Sequence, residues 1–82
     1  MATPEQKARW SKSLLSSQAF QEALEALRSD YVDEWVLAES TEAREAAWYG
    51  TRALGDLVSR LEAFVNDGEM QARRRLKEKK PS

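Results

Sequence analysis

The sequence predicts an all-α fold: a short N-terminal helix, a long antiparallel helical hairpin and a basic C-terminal tail. Three observations carry the prediction. Between Thr41 and Gly68, the residues Ala43, Ala47, Gly50, Leu54, Leu57, Leu61, Phe64 and Gly68 recur at alternating steps of four and three. Such a 3.5-residue repeat keeps one narrow apolar stripe on one side of a helix, and the stripe is stable only against another helix. Upstream, Phe20, Leu24, Leu27 and Tyr31 form a second stripe that drifts on to Trp35 and Ala38. The stretch between them, Glu39 to Thr41, is short enough to force antiparallel neighbours. The helical domain is expected over 1–68 and the tail, disordered or partly helical, over 69–82.

In chain order, Thr3 is a good N-cap, Pro4 fits the first helical position, and Gln6 stands where the capping-box partner belongs. The first helix is therefore expected from Pro4 to about Ser16. Its apolar content is thin, so Trp10 and Leu14, four apart, are its expected docking anchors, with Leu15 beside them. Ser16 or Ser17 can cap a second helix starting near Gln18. One side of that helix carries Glu22, Glu25, Asp30, Asp33, Glu34 and Glu39, a solvated face or a dock for a basic partner. Ser40 or Thr41 caps the third helix, whose first turn holds Glu42 and Glu45 where the helix dipole favours negative charge. Gly50 lies on the seam and is read as room for a large aromatic of the second helix in preference to a hinge, and Asn66, Asp67 and Gly68 as the C-cap of the third.

Composition excludes more than it assigns. In 82 residues there is no Cys and no His. That removes disulfides, thiolate metal sites, the usual general base and the histidine pH switch. The carboxylates fall on faces expected to be solvated, and no Gly-rich loop follows a strand, so no enzyme, metal or cofactor is expected. No apolar run approaches the length of a membrane span, and the N-terminal residues lack the apolar core of a signal peptide. A soluble, cytoplasmic protein is expected, with association compensating for a small core.

Charge is unevenly placed. Residues 1–68 hold seven Lys and Arg against twelve Asp and Glu, and residues 69–82 hold six against two. The basic candidates for phosphate contact are Arg73, Arg74, Arg75, Lys77, Lys79 and Lys80, with no aromatic interleaved for base stacking. The rings, in contrast, exceed what one hairpin can hide. Trp10, Trp35, Trp48 and Tyr49 are the candidate partner-binding residues. Either the first helix covers this surplus in a three-helix bundle, or copies of the chain cover it in an oligomeric bundle.

Leu14-Leu15 before a break, Tyr31-x-x-x-Trp35, Arg44-Glu45-x-x-Trp48, a Leu-rich helix and the closing Gly68 together resemble small helical proteins of tailed bacteriophages and prophages. The resemblance spans about Leu14 to Gly68, and where that family often has Pro at the first break this chain has Ser17 and Gln18. It implies a phage accessory protein in the host cytoplasm, associated with head assembly or DNA packaging or binding a host protein. Two functions are therefore expected as alternatives: binding of a protein partner through the aromatic face, and nucleic-acid binding through the basic tail.

Overall fold

The computed structural model describes residues 1–79, which form three α-helices: α1 (Pro4–Ser16), α2 (Gln18–Leu37) and α3 (Thr41–Lys79). Among the described residues there is no strand. The capping box of α1 is complete, with Thr3 Oγ1 accepting from the Gln6 amide at 3.1 Å and Gln6 Oε1 from the Thr3 amide at 3.0 Å. A single extended residue, Ser17, separates α1 from α2. Its amide donates to the Leu14 carbonyl and its hydroxyl accepts from the Phe20 amide, so one residue closes one helix and opens the next. Gln21 Nε2 clips the break by donating to the Leu15 carbonyl at 2.6 Å. At the second break, Ser40 Oγ accepts from the Ala43 amide at 3.1 Å, which starts α3 at Thr41.

The molecule measures 66 × 25 × 20 Å, a cross-section of about two helices. Both α1 and α2 lie on α3 and barely touch each other. Tyr31 of α2 packs on Gly50, where an added Cβ would stand 2.6 Å from the ring atoms Cδ1 and Cζ. Gly50 therefore makes room for an aromatic, and its helix-propensity cost of about 1 kcal/mol is offset by burial of the ring. Farther along, α1 sits on the second half of α3. Ala8 packs on Gly68, the Lys7 ammonium lies 5.5 Å from the Phe64 ring centroid, and Glu5 pairs with Arg75.

Gly68 does not end the third helix. No glycine has a positive φ, and α3 runs on unbroken to Lys79. The glycine serves close approach instead, because a Cβ there would collide with Ala8 Cβ and stand 3.0 Å from the Pro4 carbonyl oxygen. With α1 laid across it, the stretch beyond Gly68 gains a packing surface that its own sequence lacks. Arg75 Nη2 approaches Glu5 Oε1 at 2.9 Å and Nη1 donates to Glu5 Oε2 at 3.2 Å, tying the stretch to the first turn of α1. Gly55 is different, since nothing lies within 4 Å of an added Cβ.

The docking face of α1 also departs from the expected one. Ala8 and Ser11 are buried and Leu15 half-buried, while Trp10 is 61% exposed. Small residues face Gly68 because the two backbones approach too closely there to admit an indole. On α3 the inward set is Ala47, Thr51, Leu54, Val58, Leu61, Val65 and Gly68, flanked by Gly50 and Phe64. Leu57, read from sequence as a seam position, is 46% exposed. Only Leu24 and Leu61 are large side chains in the buried core.

Candidate interaction surface

The last turn of α2 and the first two turns of α3 converge on a groove of about 370 Å³ lined by Trp35, Thr41, Arg44, Glu45, Trp48 and Tyr49. Three of the four aromatic candidates thus come together. Trp35, Trp48 and Tyr49 are 49%, 51% and 59% exposed, and Val36 and Leu37 beside them are more exposed still. The Trp48 and Tyr49 rings meet edge to face, with centroids 5.1 Å apart and planes at 72°. The Arg52 guanidinium lies 5.5 Å from the Trp48 ring centroid, a cation–π approach that holds the indole without covering it. Trp10 does not join them, being carried on α1 at the other end of α3.

Large, stiff rings with one face free suit recognition of another macromolecule, because they offer wide contact area at low conformational cost. The backbone supports this placement. Residue Ala38 is extended and its amide only reaches back to the Trp35 carbonyl at 3.4 Å, so α2 stops two residues past Trp35 and leaves that ring at the break into α3.

The basic candidates lie at the opposite end. Arg73, Arg74 and Lys77 are exposed on α3, while Arg75 is engaged by Glu5. Lys80 and the side chain of Lys79 lie outside the described residues. The structure adds three cations that sequence reading left out: Lys7, Arg9 and Lys12 of α1 now stand beside the 69–79 stretch. Lys12 Nζ is 3.5 Å from Glu69 Oε1, and Lys7 and Arg74 share a groove of about 310 Å³ with Pro4, Phe64, Asp67, Met70 and Gln71. By formal charge, residues 1–17 with 69–78 carry seven cations against three carboxylates, and residues 18–56 carry three against nine. Nothing in the sequence joins the two termini, so only the packing of α1 on α3 reveals one basic end and one acidic end.

Among the described residues, no group of three or more Asp or Glu is placed to hold a metal ion, and no helix is long and apolar enough to cross a membrane. Comparison with protein-family models, with curated proteins and with solved structures returns no match.

Proposed function

We propose that this chain is a non-enzymatic interaction protein that binds a protein partner through the aromatic groove at its acidic end. The reading takes the rod as an antiparallel hairpin, with α1 and α2 forming one arm, broken at Ser17, and α3 the other. The observation that carries it is the half-exposed cluster of Trp35, Trp48 and Tyr49 in one groove. Within the groove Glu45 is offset by Arg44, but the end of the rod that carries it is acidic by formal charge, which suits a partner segment that presents apolar side chains flanked by Lys or Arg.

Capture on immobilised chain tests this. A partner retained by the wild type in high salt should be lost with Trp48→Ala, with affinity falling at least about thirtyfold, as for an aromatic anchor in an interface centre. Retention unchanged by both Trp48→Ala and Trp35→Ala would remove the groove from the account.

A second reading, nucleic-acid binding at the basic end, is favoured by the grouping of Lys7, Arg9 and Lys12 with Arg73, Arg74 and Lys77. Such binding is sequence-independent and falls steeply with salt. The accessory role in phage DNA packaging or head assembly, implied by the resemblance, belongs with this reading. Neutralising Arg73, Arg74 and Lys77 to Gln separates it from the first. Truncation at Gly68 does not, because it also removes the seat of α1.

A further inference from the structure

The flank of the rod away from the aromatic groove carries a second pattern. Lys7 lies over Phe64, which puts both on one flank, and the heptad spacing extends it to Leu14 on α1 and Leu57 on α3. On α2, Trp35 turns toward Trp48. Leu27 lies about 80° round the helix from Trp35, across the line of Leu24 and Tyr31, and so falls on the Lys7 flank together with Glu34 one heptad later. Leu14, Leu27 and Leu57 are all exposed. This flank is therefore apolar at its middle, cationic at the Lys7 end, where Lys7 and Arg74 outweigh Asp67, and anionic at the Glu34 end.

We propose that this flank pairs with the same flank of a second copy of the chain, the two rods lying antiparallel in a two-fold dimer of four-helix cross-section. Charge selects both the partner and its direction. Antiparallel pairing sets the Lys7 end of each copy against the Glu34 end of the other, whereas parallel pairing would set like against like. Leu57 is near the middle of α3, so the Leu57 and Leu27 side chains of both copies gather around the two-fold axis. Surface area argues for the same occupant. The chain exposes 6736 Å², against about 5,000 Å² for a folded monomer of its mass. A standard interface takes about 800 Å² from each partner, which is half of that excess. The pairing uses the hairpin arrangement adopted above but leaves the aromatic groove open.

Sedimentation equilibrium on the full chain, over a range of concentrations, tests the proposal. The wild type should have twice the 9.4 kDa chain mass, and Leu57→Glu should weaken association at least about a hundredfold by setting two like charges on the axis. Lys7→Glu and Glu34→Lys should each weaken it alone, and mixing the two variants should restore a dimer, because each reversed residue then meets the other. This mixing arm remains decisive if Leu57→Glu fails to fold. A wild type that stays monomeric overturns the proposal, as does a dimer indifferent to Leu57→Glu or a mixture that fails to recover. Trp48→Ala should leave the dimer mass unchanged while abolishing partner capture, and dissociation by Trp48→Ala would assign self-association to the groove instead.

Discussion

Gly68→Leu should strip α1 from α3 while α2 stays in place. The side chain would project into Ala8 Cβ and the Pro4 carbonyl, and the second of these is backbone that cannot yield unless α1 moves. Overpacking of this kind costs about 1–3 kcal/mol, whereas removing an interior glycine returns about 1 kcal/mol. The expected outcome is detachment, because the remaining contacts of α1 are small or part-exposed: Ala8, Ser11, half-buried Leu15, Lys7 against the Phe64 ring, and the Glu5–Arg75 and Lys12–Glu69 pairs. A detached helix of 13 residues is marginal in water and should unfold. Amide hydrogen exchange should show residues 5–16 losing protection while Phe20 to Tyr31 keep theirs. The exchange of side chains in Ala8→Gly with Gly68→Ala should recover most of the protection lost in Gly68→Ala alone, since the methyl is moved across the contact and not added to it. Unchanged protection of α1 in Gly68→Leu would contradict the crossing.

Leu61→Ala should abolish cooperative unfolding. Leu61 is one of two large buried side chains, and none reaches full burial. A buried Leu to Ala truncation costs about 2–5 kcal/mol, and a domain of this size rarely holds more than about 3–5 kcal/mol in total. Circular dichroism should show a broad loss of helix on heating in place of a sigmoidal transition. Leu76→Ala, at an exposed position of the same helix, should stay within about 0.5 kcal/mol of the wild type. A sharp transition retained in Leu61→Ala would mean the core lies elsewhere.

The parts of the fold that depend on local chemistry were legible in the sequence. The capping box at Thr3 is set by residues within one turn of the helix start, and so are the caps at the two breaks, which the sequence narrowed to Ser16 or Ser17 and to Ser40 or Thr41 and of which the structure uses Ser17 and Ser40. Gly50 was legible as well, because a glycine on an apolar seam that faces the large rings of the second helix is better explained as space for one of them than as a hinge, and Tyr31 is the ring that fills it. Gly68 was misread as a C-cap because the same residue serves a helix end and a helix crossing, and only a segment 60 residues away in the chain, around Ala8, decides between them. The docking face of α1 failed for a related reason. Ala8 and Ser11 carry almost no hydrophobic signal, so Trp10 dominates the sequence pattern while the geometry needs small side chains.

The seam register slipped by one residue in its middle. Leu57 and Val58 are adjacent apolar residues, and a straight helix drifts about 20° per heptad, so a strict count favours the first where the packing takes the second. Of the candidate site, the grouping of Trp35, Trp48 and Tyr49 could have been anticipated from the short break between Leu37 and Thr41, which brings the end of one helix beside the start of the next. Exclusion of Trp10 from that group, and the addition of Lys7, Arg9 and Lys12 to the basic end, could not, since both follow from where α1 docks.

Recognition through the groove requires that the aromatic residues of the turn end be free surface in the protein without a partner. Tryptophan fluorescence of a Trp10→Phe variant, with acrylamide quenching, measures this directly on Trp35 and Trp48. Red-shifted emission and ready quenching by acrylamide, short of that of free indole because each ring is about half exposed, are the predicted result, at concentrations where the chain is paired as well as where it is single. Blue-shifted, protected emission would show the groove already covered by the chain or its copies, and would contradict its assignment as the recognition surface.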